Sequence, residues 1–384
     1  MKIDNNYWFV IEPYVYVNIT DKEALLYNTL DGIVVESKTI AVIKLLQELI
    51  QKENCGVAFL SSEQFKQPDI YNFVMDIREK FMGDILNTNL SDGKPVQITP
   101  YTNFYRGNDL YIKHNFSVLK NVLNNLLEVN IYIDNTIRVN EFISFLRSLP
   151  ENVTFNLIGD FRHFQEADHL FYFLAECPNA KNIVCSYSDL ILLKPECTNN
   201  FSYRISVRFP IDEISWEESK QILKSQIMSY EYVFYLTSHE DYQQAEERID
   251  QEKIERYFLK PVYTGSNMDF LKEQVFLKKE DILSTPMTLK NFFMNQAVNS
   301  YDFGKIYIQP NGDVYANMHF SSLGNIYQEN IYELLQKEIE RGNSWFRIRN
   351  QNPCNTCVYQ WLCPSPSDLE IELGQANLCH VKSN

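Results

Sequence analysis

The sequence predicts an α/β protein built around a parallel sheet, either doubly wound or curled into a partial barrel. Six short apolar runs follow one another at intervals of roughly 20 to 30 residues, the length of a βαβ unit, and helical patterns separate them. In such a sheet, ligands bind at the carboxyl ends of the strands. The predicted strands are Val129–Ile133, Val153–Ile158, Asn182–Cys185, Arg204–Val207, Tyr232–Leu236 and Tyr257–Leu259.

A smaller unit precedes this sheet. Apolar alternation predicts a three-stranded meander, and apolar residues at helical spacing predict two helices. The second of these helices, Ile70–Phe81, has Asp69 as its candidate N-cap. Strands followed by amphipathic helices indicate a winged-helix-like unit, and the polar segment 87–107 predicts a linker. The meander strands are Tyr14–Ile19, Ala24–Tyr27 and Ile33–Val35.

Composition excludes several classes of function. The chain has 35 Lys and Arg against 50 Asp and Glu, a net charge of −15, which opposes binding to a nucleic-acid backbone. Neither GxGxxG nor GxxxxGK[ST] occurs, so the two commonest phosphate-binding loops are missing. The sequence contains no apolar stretch of membrane-spanning length, and its first residues do not resemble a secretory signal. We therefore expect a cytoplasmic protein without membrane or nucleic-acid partners.

Four of the eight cysteines lie close together near the end of the sequence, as Cys354-x2-Cys357-x5-Cys363 followed by Cys379. In a reducing compartment, clustered thiols are better interpreted as metal ligands than as disulfides. Four thiolates suit Zn²⁺ or an iron–sulfur cluster, and the presence of a single CxxC pair favours iron–sulfur. We expect the scattered cysteines to be packing residues. These are Cys55, Cys177, Cys185 and Cys197.

Three blocks in a specific order resemble the SPASM domain, the auxiliary iron–sulfur domain of radical SAM enzymes that modify ribosomal peptides. They are Ile308–Tyr315, Leu323–Ile326 and the four clustered cysteines. The resemblance implies that these cysteines are the ligands of the second auxiliary [4Fe–4S] cluster. It also implies that the first cluster is lost. Its ligand positions hold Asn317, Glu329 and Ser367.

In that family the domain follows a partial (β/α)6 barrel whose CxxxCxxC motif binds the catalytic cluster. No such triplet occurs in these 384 residues. The segment Ile158–Phe161 resembles the family's GGEP segment only weakly. The chain is therefore similar to the pseudo-radical-SAM/SPASM proteins of GG-type peptide maturation systems of Bacteroidales. This resemblance implies a pseudoenzyme that does not cleave SAM and whose partners are a precursor peptide and a true radical SAM maturase.

The N-terminal unit resembles the PqqD-like leader-recognition element, in which a peptide adds to a strand edge beside a helix. A purely structural cap is the alternative. The resulting organisation is a PqqD-like unit at 1–90, a linker at 91–128, a degenerate barrel at 129–300 and a SPASM-like domain at 301–384. The peptide-binding candidates are Ile33, Val34, Val35 and Glu36 on the strand, with Ile70, Phe73, Val74 and Ile77 on the helix.

Three functions remain open from the sequence. The first is a non-catalytic accessory protein that binds the precursor peptide, the maturase or both, with one [4Fe–4S] cluster stabilising its C-terminal region. The second is an electron-transfer iron–sulfur protein that serves the maturase. The third is an interaction protein stabilised by zinc.

Overall fold

A computed structural model describes residues 5–54, 56–97, 122–159, 167–191, 193, 200–225 and 229–381. These residues form a mixed α/β structure with one large sheet and two small ones. Within these ranges, none of the helices combines the length and the apolar character that crossing a bilayer requires.

The N-terminal unit contains two antiparallel sheets of three strands each. One sheet has the order β2-β3-β4 and is the predicted meander, which is thereby confirmed. The other has the order β5-β1-β6 and was not predicted, because its strands are distant in sequence and no hairpin signal joins them. The strands are β1 (Tyr7–Ile11), β2 (Val15–Ile19), β3 (Ala24–Asn28), β4 (Val34–Ser37), β5 (Val57–Leu60) and β6 (Gly83–Asn87).

Three helices pack with these sheets around one apolar core. The helices are α1 (Ile40–Leu49), α2 (Ser62–Phe65) and α3 (Pro68–Glu79). Helix α3 begins two residues earlier than expected, because Pro68 occupies its first turn and Gln67 is the N-cap. Proline suits that position, since its missing N–H would have no partner within the helix. Asp69, the predicted N-cap, lies in the first turn instead.

The large sheet contains all six strands that the sequence predicts. They lie side by side in chain order, and each is parallel to the next. A doubly wound sheet would reverse its order part-way, so this sheet is singly wound. The strands are β7 (Glu128–Ile133), β8 (Thr154–Gly159), β9 (Lys181–Ser186), β10 (Ser202–Arg208), β11 (Tyr230–Leu236) and β12 (Tyr257–Pro261).

Helices in the crossovers share an apolar core with one face of this sheet. Alternate strand residues point into that core because side chains alternate between the faces of a strand. Ile131, Leu157, Ile205 and Phe234 are 0% exposed there. The helices are α4 (Val139–Leu146), α5 (Ala167–Glu176), α6 (Tyr187–Leu190), α7 (Glu213–Ser225) and α8 (His239–Glu252).

The C-terminal region extends the same sheet. Strand β13 is parallel to β7, and β14 and β15 follow it in antiparallel order. The turn before β14 requires glycine, because Gly312 has a φ of +89° and a Cβ there would lie 2.5 Å from the Tyr327 ring. The elements are α9 (Met268–Gln274), α10 (Lys279–Ser284), α11 (Leu289–Ala297), β13 (Lys305–Ile308), β14 (Asp313–Tyr315), β15 (Gly324–Asn325), α12 (Ile331–Arg341) and α13 (Asp368–Leu373).

Helix α12 carries a buried carboxyl group at Glu338, which is 2% exposed. Its Oε1 accepts hydrogen bonds from the backbone N–H groups of Ser344 at 2.9 Å and Trp345 at 2.8 Å. Burial raises the pKa of Glu338 from 4.5 to about 7. The folded chain therefore holds a proton here at pH values at which the unfolded chain has lost it.

This difference predicts a pH-dependent effect of Glu338→Gln. Because the folded-state pKa is raised, the wild-type protein loses stability as the pH rises from 4.5 to 7, by about 3 kcal/mol at 1.36 kcal/mol per pKa unit. Glutamine keeps the accepting oxygen and does not titrate. We therefore expect the free energy of unfolding of the variant to gain about that amount relative to wild type between pH 4.5 and pH 8. Urea unfolding across this pH range measures the difference, and parallel pH profiles would contradict the prediction.

Candidate metal centre

The structure brings the four clustered cysteines together. Cys354 begins a short 3-10 turn, Cys357 and Cys363 follow in the same loop, and Cys379 reaches the site through a bridge to Leu277. All four are free thiols and line one cavity of about 20 Å³. The first three are buried and Cys379 is half-buried.

N–H groups face two of the sulfur atoms. The Arg349 guanidinium lies 4.0 Å and the Asn377 amide 3.8 Å from Cys354 Sγ, and the Val381 backbone N–H donates to Cys379 Sγ at 3.2 Å. Donors of this kind orient and stabilise metal-bound thiolates. The sequence offered no signal for them, because Arg349 and Asn377 belong to no ligand motif.

Arg349 also holds the loop in place. It is buried, forms an ion pair with Glu370 at 2.9 Å, and donates to the backbone carbonyl of Ser365 at 3.4 Å. A buried guanidinium beside four thiols offsets negative charge that would build up if they ionised. Its position matches a site that carries thiolates.

Burial raises the pKa of Cys363 to about 12, and the nearby Cys357, Cys379 and Cys354 thiols add to the shift. A thiol in that state is a poor ligand until a cation stabilises its thiolate form. The donor set therefore fits a metal group: four converging sulfurs, N–H donors and one buried cation. Such a group would tie together a loop that has little regular secondary structure.

In the part of the chain that the structure describes, no group of three or more His, Cys, Asp or Glu side chains is already arranged so that it could hold a metal ion.

A second polar cluster occupies the region where the resemblance implies a lost cluster. Asn317 is 1% exposed and donates to Asp368 at 2.6 Å and to Asp302 at 3.2 Å. Arg347 forms ion pairs with the same two carboxylates at 3.3 and 3.5 Å and donates to the Ser367 carbonyl at 3.0 Å. Two of the three replaced ligand positions, Asn317 and Ser367, therefore meet in one ion-pair network. The third, Glu329, pairs with Lys337.

The cysteine loop packs directly on the N-terminal sheet β2-β3-β4. The Asn18 amide donates to the Val358 carbonyl at 2.9 Å, and the Tyr359 hydroxyl donates to Glu36 at 2.7 Å. Nearby, the rings of Tyr16 and Phe292 stack with their centroids 3.8 Å apart. The cysteine loop and the candidate peptide-binding unit therefore share a packed interface.

The predicted peptide-binding residues separate into two groups. Among the described residues β4 pairs only with β3 and is a sheet edge, with Ile33 exposed beside it, Val34 half-buried and Val35 in the core. Glu36 is held by Tyr359 and by Lys279 at 2.7 Å. The helix residues Ile70, Phe73, Val74 and Ile77 all lie in the N-terminal core, where their side chains are not exposed to a ligand. These four positions of α3 therefore offer a peptide no exposed apolar surface.

Of the cysteines expected in the core, Cys185 is buried and Cys177 half-buried, whereas Cys55 and Cys197 lie outside the described residues. The segment Ile158–Phe161, which was compared with the GGEP segment, is described only as far as Gly159. Residues 160 and 161 lie outside the described residues.

No protein-family model matches the chain, and neither does any curated protein. Among solved structures, histidine-tagged anSMEcpe with bound AdoMet aligns at 13% identity and a TM-score of 0.42, covering 62% of this chain and 84% of that one. Native anSMEcpe with bound AdoMet and Kp18Cys peptide aligns at 11% identity and a TM-score of 0.43, with 62% and 88% covered. E. coli MccB with ATP aligns at a TM-score of 0.19, with 14% identity and coverage of 60% and 71%. Scores of this size carry no argument about function.

Proposed function

We propose that this protein is a non-catalytic accessory factor of ribosomal peptide maturation, a pseudo-radical-SAM/SPASM protein that binds a precursor peptide, its maturase or both. It holds one [4Fe–4S] cluster on Cys354, Cys357, Cys363 and Cys379. The observation that carries this proposal is the convergence of those four thiols on one cavity beside a buried guanidinium.

A cluster is favoured over a single zinc ion by the sequence, because zinc sites usually present two CxxC pairs and only Cys354-x2-Cys357 occurs here. A cluster ligated by four thiolates has no open iron, which suits a structural or electron-transfer role better than direct substrate chemistry.

The missing CxxxCxxC motif supports a non-catalytic role, and the polar network supports the loss of one auxiliary cluster. CxxxCxxC is absent from these residues, so the chain lacks the ligands for the iron that would bind and cleave SAM. The Arg347 network joins Asn317 to Asp302 and Asp368 through charged and amide groups that replace thiolates. We therefore assign the protein a binding role.

The peptide-binding part of the proposal now rests on the edge strand β4. An extended peptide can pair with the free side of an edge strand through backbone hydrogen bonds. The Glu36 side chain of β4 binds Tyr359 of the cysteine loop and Lys279 of α10. Holding the metal loop in place would keep this edge in a fixed position.

The test is anaerobic purification followed by measurement of iron, sulfide and zinc, and by titration with the precursor peptide encoded nearby and with the companion maturase. We expect about four irons and four sulfides per chain, a brown protein, and saturable binding of at least one partner. A colourless protein that contains one zinc per chain would favour the zinc-stabilised alternative. Binding of neither partner would remove the accessory function.

A further inference from the structure

The large sheet has a second face, opposite the one that packs on the crossover helices. Asn130, Asn156 and Asn182 lie there in register on three neighbouring strands. Asn156 accepts from Asn182 at 2.7 Å and donates to Asn130 at 2.9 Å, which forms a ladder across β7, β8 and β9. An amide ladder keeps its hydrogen bonds satisfied only in a fixed arrangement, so this face is rigid and polar.

At the carboxyl edge of the same face, three residues lie in register on adjacent strands. Arg208 ends β10, Tyr235 lies beside it on β11, and Lys260 lies beside Tyr235 on β12. The guanidinium carbon of Arg208 is 4.5 Å and the ammonium nitrogen of Lys260 is 5.3 Å from the centre of the Tyr235 ring. One aromatic ring therefore positions two cations.

Within the described ranges, these two cations have no anionic partner. In the described chain, neither Arg208 nor Lys260 forms an ion pair, and both residues are exposed. On the same face, Arg204 already forms an ion pair with Glu231. The whole protein carries a net charge of −15, so two unpaired cations held against one ring are a local exception. The carboxyl ends of parallel strands are also where α/β proteins bind ligands.

We propose that Arg208 and Lys260, both held against the Tyr235 ring, bind a carboxylate of an acidic peptide segment. This inference rests on the proposed peptide-binding function and specifies a place and a chemistry for it. An arginine fork and a lysine ammonium suit a carboxylate. A peptide acid is favoured over a nucleotide because neither common phosphate-binding loop motif occurs in the sequence.

The experiment uses the full chain, purified anaerobically, and two labelled peptides, fluorescein-GSEGESG-amide and fluorescein-GSQGQSG-amide, followed by fluorescence anisotropy at low salt. We expect the glutamate peptide to bind at least tenfold more tightly than the glutamine peptide. Arg208→Gln combined with Lys260→Gln is expected to abolish the difference, and Arg208→Lys combined with Lys260→Arg to keep most of it. The matched control is Lys44→Gln with Lys290→Gln, which removes the same charge from exposed positions elsewhere.

Equal binding of the two peptides would overturn the proposal, and so would an equal loss of binding in the control variant. The precursor titration is scored separately. If the precursor binds with unchanged affinity to the Arg208→Gln/Lys260→Gln variant, the carboxylate site is wrong and the accessory function stands. If the glutamate peptide binds through Arg208 and Lys260 but neither the precursor nor the maturase binds, the site stands and the proposed function fails.

Discussion

Replacing Cys357 by serine is expected to release the metal group and to unfold the C-terminal loop. Cys357 is buried beside Cys354 and Cys363, and the loop around it has only one short 3-10 turn of its own. Metal binding contributes on the order of 10 kcal/mol in small thiolate sites, so the loss of one ligand in four should lower the free energy of unfolding by several kcal/mol. Iron and sulfide content, thermal melting and limited proteolysis measure the three consequences.

The effect should extend to the N-terminal unit, because Val358 and Tyr359 contact Asn18 and Glu36. We expect new proteolytic cuts on both sides of this interface. Cys177→Ser is the matched control, since Cys177 is half-buried, lies outside the loop and donates only to the Phe173 carbonyl, which a serine hydroxyl can also do. A Cys357→Ser protein that keeps its metal and its melting curve would refute the metal assignment.

Replacing Arg347 by methionine is expected to destabilise the C-terminal region by about 3 to 5 kcal/mol, the usual cost of leaving a buried charge without its partner. Arg347 pairs with Asp302 at 3.3 Å and with Asp368 at 3.5 Å. Burial, followed by the charge of Asp368, already raises the pKa of Asp302, and Arg347 opposes that rise. Without the guanidinium, Asp302 must take up a proton or remain an isolated buried charge.

A second substitution separates this ionic effect from lost packing. Asp302→Asn removes the charge but keeps an oxygen that can accept from Asn317. If the ion pair is the cause, Arg347→Met with Asp302→Asn should be more stable than Arg347→Met alone, and urea unfolding of the four proteins measures the coupling energy. Strictly additive losses would assign the effect of Arg347 to packing.

The strands and the ligand set followed from the sequence because both are local signals. All six parallel strands lie within three residues of their predicted ends, since each is a short apolar run bounded by polar residues. The four clustered cysteines were recognisable from spacing alone, and the structure places them around one cavity. The predicted N-cap of α3, Asp69, was wrong, and the N-cap is Gln67. Capping depends on backbone geometry, which the identity of these residues does not reveal.

Other features depend on contacts between residues distant in sequence. The sheet β5-β1-β6 joins strands up to about 80 residues apart, and no local pattern predicts which strands pair. The strand order that distinguished a singly wound from a doubly wound sheet is likewise a property of the assembled chain. The apolar positions of α3 predicted a helix face correctly, but only packing decided that this face lies in the core.

The sequence by itself determined the α/β class, the meander, the six strands and the identity of the four clustered thiols, because apolar periodicity and cysteine spacing are carried by neighbouring residues. The tertiary structure alone decided which groups surround those thiols. It also decided which contacts form at the positions where the resemblance implies that cluster ligands are lost. Arg349 and Asn377 face Cys354, and Arg347 joins Asn317 to two carboxylates. Arg208 and Tyr235 are 27 residues apart and Tyr235 and Lys260 are 25 apart, and parallel pairing sets the three side by side. Burial and charge compensation act through space, so no reading along the chain could have placed these groups together.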